Sequence, residues 1–169
     1  VLDHLVELGH ERIGFLTTGY DLSAKWAQYR HSAFLAETAR LQLPRNSDWV
    51  IDPSTASRLS VDEIHQLAVG QTRKGVTAWV CAADHQGYQL YSHLTKEGFS
   101  VPGEVSITGF DGIAPPKWAP SLTTLRIPYH EIGLTAGKRL QDLVRKRYES
   151  AQVISIDCIL QPRETTRKP

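Results

Sequence analysis

The sequence predicts an α/β fold in which a parallel sheet is flanked by helices in three layers. Short apolar strands alternate with amphipathic helices from Arg12 to Gly109, the pattern of a parallel sheet covered on both faces. Two of those strands, beginning near Ala78 and Val105, run into an acidic residue, Asp84 and Asp111, where strand-to-helix loops form. With 169 residues and 41% hydrophobic content, the chain can bury the core of one ordinary domain or slightly more.

Taken in order, VLDHLVELGH places Leu2, Leu5 and Leu8 on one helical face and ends at Gly9, a C-cap. Arg12 to Leu16 follows as a buried strand, and TTGYDLS is a loop in which Ser23 is available as a helix cap. Trp26, Tyr29, Ala33, Phe34 and Leu41 have helical spacing, so a helix is expected from Ala24 to about Leu41, stopped by Pro44 and Asn46. Trp49 to Ile51 reads as a short strand and DPSTASRLS as a connecting loop. Val61, Ile64, Leu67 and Ala68 mark a helix that should end at Gly70, before the linker QTRKG. Ala78 to Ala82 is a strand, and Tyr88, Leu90, Tyr91 and Leu94 give the helix after it. Val105, Ile107 and Phe110 mark the fourth strand. The rhythm then breaks in the proline-rich stretch APPKWAPSLTTLRIPYH, an extended connector holding a short strand from Thr123 to Ile127. A helix is expected from about Tyr129 to Arg147, striped by Ile132, Ala136, Leu140, Leu143 and Val144. The strand VISIDCIL and a polar tail, QPRETTRKP, close the chain.

Several functional classes find no support. A net charge of +1 does not describe a nucleic-acid-binding surface, and the run Arg145–Arg147 reads as dipole partners at a helix end rather than as a phosphate stripe. Cys81 and Cys158 read as small core residues, and the seven histidines lack zinc-ligand spacing, so no metal is expected. No GxSxG, HExxH or phosphate-cradling glycine loop occurs; neither catalytic residues nor a cofactor are expected. No apolar run is long enough to span a membrane, and no signal-peptide pattern opens the chain. The absence of any methionine, with a start inside a helix, leads us to expect a piece of a longer protein.

Ligands of open α/β sheets bind outside the carboxyl ends of the parallel strands. Asp84 and Asp111 both lie there, and two carboxylates suit sugar hydroxyls or the amine of a small polar ligand. Each residue has a plainer reading too. Asp84 can cap the following helix, and Asp111 can be a turn residue before Gly112.

The ordered segments LVELGHERIGFL, RHSAF, VCAADHQGYQLYSHLTKEGFSVPGEVSITGFDGI, PSLTTLRIPYHEIGLTA and RETT resemble, in register and over nearly the whole chain, part of the LacI/GalR transcriptional regulators. The part matched is the C-terminal portion of their ligand-binding region. The resemblance implies a Rossmann-like lobe of the periplasmic-binding-protein type I kind, and an effector site between two lobes. Residues 1–127 would form the second lobe. Residues 128–169 would supply a crossover helix and strand towards a first lobe outside this chain, then the tail.

By the same resemblance, Arg30 of RHSAF, Asp84 and Asp111 of GFDG are the effector-binding residues; the planar five-donor head of Arg30 suits effector oxygens. The asparagine that precedes the aspartate in the family is Ala83 here, and the aromatic often found after the second strand is replaced by Asp52–Ser54. Arg30 can also be an ordinary surface arginine of its helix. The implied function is a cytoplasmic sensor, dimeric through its lobes. It would bind a sugar or sugar derivative and change the operator affinity of an attached helix-turn-helix domain, with no membrane partner. The alternative is the solute-binding protein of a sugar transporter. A doubly wound enzyme using the same strand ends is a third reading.

Overall fold

A computed structural model describes residues 1–18, 24–145 and 153–169. Its strands are β1 (Ile13–Leu16), β2 (Val50–Ile51), β3 (Ala78–Cys81), β4 (Ser106–Asp111), β5 (Thr123–Arg126) and β6 (Ile159–Gln161). They form one sheet in the order β2-β1-β3-β4-β5-β6, parallel throughout except for β6, which runs antiparallel to β5. The helices are α1 (Leu2–Glu7), α2 (Lys25–Arg40), α3 (Pro53–Ala56), α4 (Val61–Arg73), α5 (Asp84–Lys96) and α6 (Tyr129–Val144).

The apolar positions sort the helices into layers. Leu2, Leu5 and Phe34 of α1 and α2 pack on Ile13, Phe15 and Ala78 on one face of the sheet. Ile64, Ala68, Leu90 and Leu94 of α4 and α5 pack on Leu16, Trp79 and Ile107 on the other. Strand β1 is therefore followed by a helix on one face and β3 by a helix on the opposite face. The crevice between their carboxyl ends is the topological switch point of the sheet.

Gly9 lies just beyond α1 at φ +97°, a conformation that costs glycine little, and the chain turns there through Gly9 N–H to Val6 O and His10 N–H to Leu5 O. Helix α2 matches its predicted span to within a residue at each end. The expected cap at Ser23 lies outside the described residues.

Four expectations are corrected. Helix α4 does not stop at Gly70 but runs on to Arg73, because Val69, Gln71 and Thr72 are buried and the Thr72 hydroxyl accepts from the Trp79 indole at 2.9 Å. Burial there outweighs one glycine's poor helix propensity, about 1 kcal/mol. The loop DPSTASRLS contains α3, whose start is tied by the Thr55 N–H donating to the Asp52 carboxylate at 2.7 Å, with proline as first helical residue. Trp49 belongs to a 3-10 turn, Ser47–Trp49, leaving only Val50 and Ile51 in the strand.

The fourth correction concerns the end of the chain. Of VISIDCIL only Ile159 and Leu160 enter a strand, because only they lie beside β5; Val153 is fully exposed. The tail, expected to be merely polar, is built onto the sheet. Thr165 is buried at the head of the β4–β5 pair, where its carbonyl accepts from the Ile107 N–H and its hydroxyl bonds the Ile107 carbonyl and the Thr123 N–H. His10 adds a bond to the Arg167 carbonyl at 2.8 Å. Residues 159–167 thus return to the sheet, while α6 has no buried residue and packs beside Ile154 and Ile156. The RKR run falls largely outside the described residues; Arg145 follows α6.

Candidate functional site

Arg30 is placed by α2 so that it reaches over the carboxyl ends of β3 and β4. One guanidinium nitrogen donates to the Ala82 carbonyl at 2.5 Å, and the other donates to Asp111 Oδ1 at 3.1 Å. The guanidinium lies 3.7 Å from the centroid of Phe110 and 4.8 Å from that of Trp26, one helical turn before it on α2. A planar, weakly hydrated cation is suited to such stacking while its N–H groups stay aimed in-plane. The two side chains of the ion pair are 19% and 22% exposed, so the charges sit at the crevice wall with an open side.

Asp111 ends β4 with φ +121°, a conformation that strains any residue with a Cβ. Burial pushes its carboxyl above the usual aspartate range, and the Arg30 charge and hydrogen bond pull only part of the way back. The protein alone therefore under-solvates this carboxylate. A ligand hydroxyl or N–H that donated to it would find an acceptor short of donors.

Asp84 is placed differently. As the first residue of α5 it is 1% exposed, and its carboxylate is occupied from within the protein. Oδ2 accepts from the backbone N–H of Gly112 at 2.7 Å and of Ile113 at 2.9 Å, and Oδ1 accepts from the Thr124 hydroxyl at 2.6 Å. It neither caps its own helix nor faces the crevice; it joins α5 to the β4 and β5 ends. Gly109 makes the approach feasible, since a Cβ there would overlap Asp84 Oδ1.

Of the three residues the sequence singled out, the structure brings Arg30 and Asp111 into contact and sets Asp84 one layer behind. Trp26 and Phe110, which flank the guanidinium, were read only as apolar markers of a helix and of a strand. The signal available for them was the i, i+4 spacing of Trp26 and Arg30 and the place of Phe110 beside Asp111. At the crevice rim, His31 is held below its usual pKa by burial, opposed by Asp52, and its ring lies 5.4 Å from that of Phe15. Behind the Arg30 stack, an apolar cavity of about 340 Å³ extends along the sheet face between Phe15, Phe34, Val80 and Leu125. Among the described residues no group of three or more His, Cys, Asp or Glu is disposed to hold a metal, and no helix is long and apolar enough to cross a membrane.

Residues 2–166 match the model of the periplasmic binding protein-like domain family. Among curated proteins, the chain is 28% identical over 155 residues to the HTH-type transcriptional repressor PurR of Photobacterium profundum, covering 91% of this chain and 45% of that protein. The chain thus spans about half the length of the curated relatives it matches. Among solved structures, it superposes with a TM-score of 0.76 and 25% identity on the Lac repressor dimer bound to operator and the anti-inducer ONPF, covering 98% of this chain and 56% of that one. A LacI family transcriptional regulator from Mycobacterium smegmatis gives a TM-score of 0.71 and 26% identity, with 99% of this chain and 61% of that one covered.

Proposed function

Since the chain belongs to the periplasmic binding protein-like domain family and its homologues are LacI-type transcriptional repressors, we propose that it is the second lobe of the effector sensor of such a repressor. The observation that carries the reading is the Arg30–Asp111 pair, stacked on Phe110 and Trp26 at the switch point of the sheet. It offers a guanidinium and a carboxylate side by side at the crevice wall, each with an open side. That combination fits a small neutral molecule bearing adjacent hydroxyls or an amide edge, such as a sugar or sugar derivative.

A first lobe closes the other side of the crevice in this reading. The apolar stripe of α6, with Ile154 and Ile156 beside it, packs against that lobe, and operator is bound by a helix-turn-helix domain outside this chain, in the cytoplasm. The regulator works as a dimer, as the Lac repressor does in its operator complex. Effector favours one interlobe geometry only to the extent that it binds that geometry more tightly than the other, and the paired DNA-binding domains read the difference. A solute-binding protein of a transporter has the same lobe, but the curated relatives cited for their length are repressors. They also give no support to an enzymatic reading.

The test is thermal melting of the full-length regulator against sugars, sugar phosphates, nucleobases and amino acids, with Arg30→Ala and Asp111→Ala in parallel. Ligand at one hundred times its Kd stabilises the native state by about 2.7 kcal/mol. We expect one ligand class to raise the melting temperature of the wild type and neither variant to respond. A shift that survives both substitutions would place the effector elsewhere.

A further inference from the structure

We infer that Asp84 is a positioning residue of the crevice, which from inside the lobe holds the turn at residues 111–113 in the one form that presents the Asp111 carboxylate to Arg30. The inference takes from the effector-sensing reading only the purpose of that presentation; the geometry stands without it.

Asp111 sits at φ +121°, and a strained residue keeps such a conformation only where its surroundings enforce it. The enforcing groups are on either side of the carboxylate of Asp84. Its Oδ2 receives the two consecutive N–H groups that follow Asp111, those of Gly112 and Ile113, at 2.7 and 2.9 Å. Its Oδ1 receives the Thr124 hydroxyl from β5 at 2.6 Å, which fixes the plane of the carboxylate. Three acceptor positions are needed and no donor, so a carboxylate suits the place better than an amide. Since Asp84 is 1% exposed, a ligand in the crevice does not reach it. The β4 backbone comes close enough because residue 109 is glycine. The two backbone bonds hold the segment that follows Asp111, the Thr124 bond holds the carboxylate that receives them, and Asp111 in turn bonds Arg30 at 3.1 Å.

The experiment uses the full-length, ¹⁵N-labelled protein with Asp84→Asn, Thr124→Val and, as reference, Asp111→Asn. Amide exchange at Gly112 and Ile113 and the guanidinium N–H signals of Arg30 are followed by NMR, with the Trp79 indole N–H, bonded to Thr72, as a monitor of the intact fold. In Asp84→Asn we expect exchange at 112 and 113 to accelerate by about tenfold or more, and the Arg30 signals to move onto those of the Asp111→Asn protein while Trp79 stays in place. Thr124→Val should move the same signals in the same direction by less, and decides the matter if Asp84→Asn does not fold. Faster exchange at 112 and 113 with Arg30 signals unchanged would overturn the proposal, because Asp84 would then stabilise the turn without positioning Asp111. No ligand enters this test. If it succeeds while every ligand of the melting panel fails, the effector reading is lost and the positioning role stands.

Discussion

Burial draws the Asp111 carboxylate towards its neutral form, and Arg30 draws it back. Because the folded pKa remains raised, the native state takes up this proton before the unfolded chain does, so the contribution of Asp111 to stability falls as pH rises through its folded pKa. His65 shows the opposite sign. It is fully buried between α4 and α5, with its ring stacked on His93 at 4.1 Å, while His93 meets Asp62 at 3.3 Å. Burial first, and the neighbouring His93 second, lower its pKa from 6.5 to about 4. The unfolded chain therefore binds this proton first, and stability present above pH 6.5 is lost as pH falls towards the folded value. Between pH 7 and pH 5 the loss should be roughly 2 kcal/mol. Urea denaturation at the two pH values measures it, and His65→Leu should flatten the dependence by about that amount; an identical dependence in the variant would assign the effect to other groups. Neither behaviour was legible in the sequence. The environments of Asp111 and His65 are made by residues from other elements, and a lone His in a helical pattern carries no sign of what will cover it.

Helix α4 illustrates how local signals combine. Ser60 and Glu63 form a reciprocal capping box, with the Ser60 N–H donating to Glu63 at 2.8 Å and the Glu63 N–H donating to Ser60 at 3.3 Å. The spacing S-x-x-E announces that start, whereas Gly70 suggested too early an end. A Cβ at position 70 would meet nothing within 4 Å, so Gly70→Ala should raise stability by about 1 kcal/mol, read as a higher urea midpoint at unchanged slope. No gain would mean that the glycine relieves a strain absent from the helix as it stands. Periodicity placed α2, α4, α5 and α6 because each has a face with something apolar on it. It could not place β6, since the apolar residues of VISIDCIL become strand only where a partner runs alongside.

The distribution of exposed apolar surface separates α6 from the rest of the molecule. Leu140 is 64% exposed and Val144 75%, along a stripe that the other helices bury against the sheet. Covered by a first lobe, that stripe contributes to stability; in the 169-residue chain it contributes little. Leu140→Asn should therefore change the unfolding free energy of this chain by no more than about 0.5 kcal/mol, and lower that of the two-lobed protein proposed above by roughly 2 kcal/mol or more. Chemical denaturation of both proteins with and without the substitution makes the comparison. Equal effects would show that the stripe is not the lobe contact. Thr165 and His10, by contrast, are buried at 1% each, which anchors the returning tail to the sheet.

The α/β class, four of the parallel strands, every helix but α3 and the place of Asp111 at a strand end were legible in the order of the residues, whereas Arg30 came only from the family resemblance. They depend on period, turn chemistry and the rule that open sheets bind at their carboxyl edge, each of which is local or topological. The division of labour between the two aspartates was not. Both are acidic residues at the end of a strand, and what separates them is where their partners come from. Asp111 meets Arg30 from 81 residues away and remains partly open, whereas Asp84 meets Gly112, Ile113 and Thr124 and is closed off. A carboxylate's role is fixed by which donors fold against it, and that is decided only when distant segments pack.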